Sequence, residues 1–128
     1  ENAMDSDGID SNGDVYIYGG NVFISVRSNG PSNAIDHGSE TGGYFIIDGG
    51  TVIACGSRIL AEEPDASSKQ AFIMENMDEP VEAGSTLTLK SDDGEVILSA
   101  EIPCEYTSAL VSCPQMQVSQ GTYLLTHL

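Results

Sequence analysis

The ten residues from Asp5 to Asp14, DSDGIDSNGD, hold four carboxylates, Asp5, Asp7, Asp10 and Asp14, with two glycines and one isoleucine. Asp and Asn form turns by bonding their own backbone, which accounts for part of this composition. The charge density also suits a hard cation such as Ca2+, which takes roughly six to eight oxygen ligands in flexible geometry. No contiguous calcium loop is present. An EF-hand loop begun at Asp10 puts Val15 where its glycine must stand and Asn21 where its glutamate must stand. Begun at Asp5, it meets Ile9 at a ligand position. The Ca2+-binding repeat G-G-x-G-x-D is absent as well. A cation site must therefore be assembled from separate parts of the chain.

An internal repeat can assemble it. "GIDSNGDVYIYGGNVFISV", Gly8 to Val26, matches "AIDHGSETGGYFIIDGGTVIACG", Ala34 to Gly56. Ile9-Asp10 returns 26 residues later as Ile35-Asp36, and Gly19-Gly20 returns 30 residues later as Gly49-Gly50. The difference falls in the loop 37–43. Each copy reads as a short apolar stub, a polar loop, a strand, a Gly-Gly corner and a second strand. Val15, Ile17, Val22, Ile24 and Val26 mark one face, and Phe45, Ile47, Val52 and Ala54 take the matching places. One copy cannot bury that face alone. Stacked copies can, as parallel ladders about 4.8 Å apart. The expected fold is all-β: a short right-handed parallel β-helix of about two to three coils over residues 1–57. Its handedness follows the right-handed preference of parallel crossovers. Ile9 then sits over Ile35, Val22 over Val52 and Asp10 over Asp36. Two unstacked hairpins explain the alternation equally well but not the shared Ile-Asp stub. In the stacked register Asp5, Asp7, Asp10 and Asp36 converge, and these four are the expected metal ligands. Two carboxylates about 5 Å apart repel by roughly 3 kcal/mol at an effective dielectric near 20, a cost a cation reverses. Asn12 and Asp14 are weaker candidates, because side-chain direction alternates.

Residues 58–128 read differently. "RILAEEPDASSKQ" is a crossing loop with at most one helical turn. Strand-like runs follow at 71–77, 86–90, 95–100, 108–113 and 122–128. "SDDGE" between the second and third is a hairpin signal. These runs are expected to form an antiparallel sheet that caps the open end of the β-helix, since a bare last coil exposes unpaired backbone groups.

Composition narrows the partners. Four Lys+Arg oppose 20 Asp+Glu, for a net charge of −16. Nucleic acid is disfavoured, because binding it requires cations that displace counterions. Anionic membranes are disfavoured likewise, and no apolar run is long enough to insert in one. Cations and neutral glycans are permitted; net charge can also serve solubility alone. No signal peptide is visible, and the abrupt acidic start reads as that of a mature or trimmed chain. Cys55, Cys104 and Cys113 have no metal-binding spacing. They read as small apolar fillers, or as one Cys104–Cys113 disulfide with one cysteine left over.

The ordered set "DGIDSNGDVYIYGGNVFISV", "GPSNAIDHG", "FIIDGGTVIACGS", "SSKQ" and "SALVSCPQMQVSQGTYLL" resembles the C-terminal part of a bacterial β-helix family of carbohydrate-binding domain-containing proteins. The resemblance runs over essentially the whole chain. It implies an extracellular or cell-surface location and binding of plant-type or acidic polysaccharide. It also implies calcium in the β-helix and further coils upstream in the same polypeptide.

Other residues could do chemistry. Tyr16, Tyr18 and Phe23 point away from the core set, where aromatic rings can stack on sugars. Ile46 and Ile53 align with them, so burial of the whole stripe beneath the C-terminal sheet competes with ligand binding. Arg27 completes the expected ligand-binding set. His37 and His127 are the only histidines, and no G-x-S-x-G nucleophile motif exists. Calcium-dependent polysaccharide lyases also use parallel β-helices, with a cationic base beside the metal; Arg27 and Arg58 would have to fill that role. Lone arginines at strand ends more often lie over apolar surface. The reading is thus a non-enzymatic glycan-binding module with Ca2+. The alternatives are a purely structural capping module and a lyase.

Overall fold

The computed structural model describes residues 7–28, 30, 32–116 and 123–128. The fold is all-β, with nine strands among the described residues: β1 (Ile9–Asp10), β2 (Val15–Ser25), β3 (Ile35–Asp36), β4 (Phe45–Gly56), β5 (Phe72–Val81), β6 (Ser85–Lys90), β7 (Val96–Ile102), β8 (Tyr106–Ser112) and β9 (Leu124–His127). One 3-10 turn, Ser39–Thr41, lies in the loop inserted in the second copy.

The two N-terminal copies stack in parallel. β1 pairs with β3, Ile9 on Ile35 and Asp10 on Asp36. β2 pairs with β4, Val15 on Phe45, Ile17 on Ile47 and Val22 on Val52. This is the register expected from the repeat, and it excludes the two-hairpin arrangement. Gly20 and Gly50 adopt φ of +80° and +84° at equivalent corners. Most residues avoid this left-handed conformation because their Cβ crowds the following carbonyl.

Residues 57–70 are more than a crossing loop. Ser57 N–H donates to Ser32 O, Asp65 N–H to Phe45 O and Gln70 N–H to Ile47 O. Phe45 N–H donates back to the Asp65 carboxylate, and Ile47 N–H to Ser68 Oγ. This segment runs as an irregular rung against the second copy. Its Glu62 stands 26 residues after Asp36, as Asp36 stands 26 after Asp10. The apolar stub of the copies is reduced to Ala61 here, which hid the relation.

The C-terminal strands divide, rather than forming one separate sheet. β8 pairs antiparallel with the free edge of β4, and β5 pairs with β8, giving a mixed sheet β2-β4-β8-β5. β6, β7 and β9 form an antiparallel sheet, β7-β6-β9. Its β6–β7 hairpin turns where "SDDGE" signalled, with Gly94 at φ +91°. The edge of the second copy is thus closed by a continuing ladder, which satisfies its backbone groups directly.

The mixed sheet is a wall between two cores. On one side Val52, Ala54 and Leu110 pack with Val15, Ile17, Ile35, Phe45 and Ile47. On the other, Ile53, Cys55, Ala109 and Val111 pack with Leu87, Leu89, Ile102, Tyr106 and Leu125. Burial on both faces explains why "TVIACG" is nearly all apolar. All three cysteines are free; Cys55 and Cys113 are buried as fillers of the second core, and Cys104 is half-buried.

Candidate functional site

Pairing of β1 on β3 brings three carboxylates together. Asp7, Asp10 and Asp36 each offer an oxygen, and these lie within 4.8 Å of one another. Asp5, the fourth expected ligand, lies outside the described residues. The local fold holds the group in place. Ile9 N–H donates to Ala34 O and Ser11 N–H to Asp36 O, so the backbone on both sides of Asp10 is tied to the second copy. Asp7 Oδ1 accepts Asn33 N–H at 2.8 Å. The Asn33 amide in turn donates to Ser57 O and Ile59 O, linking the site to the third rung.

The electrostatics are those of crowded anions. Burial pushes the Asp36 carboxyl up to about 6, and Glu62, Asp7 and Asp10 add to the effect, Asp7 also through a hydrogen bond to Asp36. Part of the repulsion is thereby relieved by a proton, which a cation would replace. Glu62 faces the group from the third rung but is engaged elsewhere. Its carboxylate accepts His37 N–H at 2.8 Å and Ser39 Oγ–H at 2.7 Å. The buried His37 Nδ1 also lies 2.5 Å from Glu62 Oε1, a close approach without the alignment of a hydrogen bond. Asp14 serves the stack rather than the cluster, since its Oδ1 accepts Tyr44 N–H where β2 begins to pair with β4.

The aromatic set divides. Tyr16 and Tyr18 are 45% and 67% exposed, with ring centroids 5.9 Å apart in an edge-on arrangement. The Tyr16 hydroxyl is pushed above its ordinary range, by desolvation first and then by Asp14, Tyr18, Tyr44 and Asp65. Tyr44, also exposed, therefore joins this group. It pairs in sequence with Asp14 across the repeat, a correspondence that singled out no function. Phe23 is 51% exposed beyond the Gly-Gly corner, whereas its partner Ile53 is buried in the second core. The stripe is thus covered on the second copy at Ile53 and open on the first. Arg27 stands apart from Tyr16 and Tyr18, past the far end of β2. It lines a hollow of about 320 Å³ with Glu82, Ala83, Pro103, Cys104 and Glu105.

One polar chain gave no sequence signal. Tyr106 O–H donates to His127 Nδ1 at 2.7 Å, and His127 Nε2–H donates to Glu75 at 3.0 Å. The three residues come from β8, β9 and β5, and only the topology unites them. Tyr106 is wholly buried. Comparison with protein-family models, curated proteins and solved structures gives no match for this chain.

Proposed function

We propose that the chain is a non-catalytic glycan-binding module of an extracellular or cell-surface bacterial protein, with Ca2+ as a stabilising ion. In this reading the stacked N-terminal copies are the coils of a short right-handed parallel β-helix. Tyr16, Tyr18 and Tyr44 supply the platform for sugar rings, and a polysaccharide is the partner. The observation that carries the reading is the exposure of Tyr16 and Tyr18 on the first copy beside Tyr44 of the second. Tyrosine suits a platform whose rings pack on sugar C–H groups while the hydroxyls remain hydrated. Asp7, Asp10 and Asp36 supply oxygen ligands of the type Ca2+ takes. The remaining positions would fall to water, backbone or a glycan carboxylate, and the last would favour an acidic polysaccharide. The resemblance also implies upstream coils, which would add at β2.

Two measurements test it together. With free Ca2+ at about 100 times its Kd, the melting midpoint should rise by the equivalent of about 2.7 kcal/mol over the chelated protein. On an array of plant-type polysaccharides, Tyr18→Ala should lose at least about tenfold in binding, the scale of one ring contact. No glycan bound with or without Ca2+ would leave a purely structural module. Release of unsaturated products from polygalacturonate, lost on changing Arg27 or Arg58, would make the chain a lyase.

A further inference from the structure

Asp14 and Asp65 border the exposed tyrosines. Val15 pairs with Phe45 and Tyr16 with Ile46, so Asp14 stands beside Tyr44 on the outward face. Asp14 Oδ1 accepts Tyr44 N–H at 2.8 Å, and Asp65 Oδ2 accepts Phe45 N–H at 2.7 Å. Each carboxylate spends one oxygen on the backbone, and among the described residues nothing donates to the other. Desolvation first, then Asp14, Tyr18, Tyr44 and Asp65, push the Tyr16 hydroxyl above its ordinary range, so the field of both carboxylates reaches it. Neither carboxylate has a cationic partner. Among the described residues no lysine or arginine lies within ion-pair distance of a carboxylate; only His37 and His127 do. Aromatic rings set among unpaired carboxylates attract positive charge. The ring quadrupoles draw an ammonium over their faces, and the carboxylates draw it from the side.

We propose that the tyrosine face selects a polysaccharide that carries free amino groups, a polymer of glucosamine units. The inference rests on the glycan-binding reading and names the class of sugar. Sugar C–H groups pack on Tyr16, Tyr18 and Tyr44, and the ammonium donates to the open oxygen of Asp14 or Asp65. A neutral sugar finds the same platform but leaves both carboxylates unpaired. A uronic carboxylate suits a Ca2+ ion at Asp7, Asp10 and Asp36, but beside the tyrosines it meets two like charges. Arg27, past the far end of β2, stands too far along the strand to receive it. The net charge of −16 also draws a polycation toward the chain. Further coils, which would add at the edge of β2, would lengthen this face and not cover it, because its side chains stand off the sheet.

Calorimetric titration of the 128-residue chain, in chelator, with a glucosamine oligomer and with the same oligomer N-acetylated tests the proposal. The two ligands share their rings and differ in charge. The amine form should bind at least about tenfold tighter at low ionic strength, the scale of an ion pair and a cation–π contact together, and salt should narrow the gap. Asp14→Asn with Asp65→Asn keeps an oxygen for each backbone N–H and removes both charges. This double variant should abolish the preference while the N-acetylated oligomer binds as before. Asp92→Asn, exposed in the turn between β6 and β7, should leave the preference intact. Polygalacturonate bound more tightly than the amine form, or no preference between the two oligomers, overturns the inference and leaves the glycan-binding reading standing. No binding of any of the three overturns both. A preference that survives the double variant, or that Asp92→Asn lowers as much, would assign it to another surface or to net charge and overturns the inference too. So does a lysine homopolymer that binds as tightly and is lost in the double variant, which would make the partner a basic protein.

Discussion

Leu60 has φ of +62°, alone among the described non-glycine residues in the left-handed region. Ala61 N–H donates to Arg58 O, so Leu60 is the third residue of a tight turn, where glycine usually stands. Its side chain is 75% exposed and repays none of the strain through burial. Left-handed φ costs about 1–2 kcal/mol, and glycine returns part of that through the entropy of the unfolded chain. Leu60→Gly should therefore stabilise by about 0.5–1 kcal/mol in a denaturant titration. A loss of stability would mean that Leu60 makes contacts its exposure does not suggest. Asp36 is strained by burial and by neighbouring charge instead. Its carboxyl sits near 6 in the folded chain and near 4 in an unfolded one. Between these values the folded state holds more protons, so stability falls as pH rises from about 4 to about 6 and is level beyond. Melting curves of the metal-free protein should show this slope, and Asp36→Asn should remove it. A bound cation would reverse the sign, because it would bind the ionised form. An unchanged slope in Asp36→Asn would assign the effect to other groups.

At the scale of elements, the Gly-Gly corners separate conformation from space. Gly20 has positive φ with nothing within 4 Å of an added Cβ. Gly50 has positive φ, and its Cβ would stand 2.8 Å from the Gly19 carbonyl of the copy beneath. Gly20→Ala should cost about 1–2 kcal/mol, the conformational penalty alone. Gly50→Ala should cost more, because backbone must move; equal losses would mean that stacking at the corner is loose. These corners, with Ile9-Asp10 and Ile35-Asp36, are also why the stack is legible in the sequence. A repeat places equivalent residues side by side, so register follows from counting. The carboxylates Asp7, Asp10 and Asp36 came with it, since their approach is a consequence of that register. What escaped were contacts between segments without a shared pattern. Glu62 belongs to a rung whose apolar stub has shrunk to alanine. Ile53 resembles an outward residue until β8 continues the sheet and puts a second core behind it. Tyr18 and Phe23 remain open because that core reaches Ile53 and Cys55 of β4 and takes in no residue of β2.

Over the whole molecule, two sheets meet across an apolar core, and the polar chain Tyr106–His127–Glu75 crosses between them. Glu75 accepts from His127 Nε2, and in the neutral imidazole Nδ1 then accepts from the Tyr106 hydroxyl. Burial pushes that hydroxyl above its ordinary range, with Cys55 and Glu75 adding to it, so it stays a donor. Leu87, on β6, lies opposite His127, so the chain of bonds anchors β9 just where the β7-β6-β9 sheet meets β5 and β8. Hydrophobic contact at this junction is non-directional, whereas the hydrogen bonds fix one relative position of the sheets. Tyr106→Phe keeps the ring but strands Nδ1, at a cost of about 1–2 kcal/mol. His127→Ala removes both bonds and should cost more. The double variant should cost less than the sum, because each single change already breaks the shared bond. Amide exchange should quicken in β9 and β6 in these variants while the β2–β4 stack keeps its protection, since its core lies on the far side of the wall. Equal acceleration in β2 and β4 would show that the two cores unfold as one unit, and additive costs would deny the bond its part in holding the sheets in register.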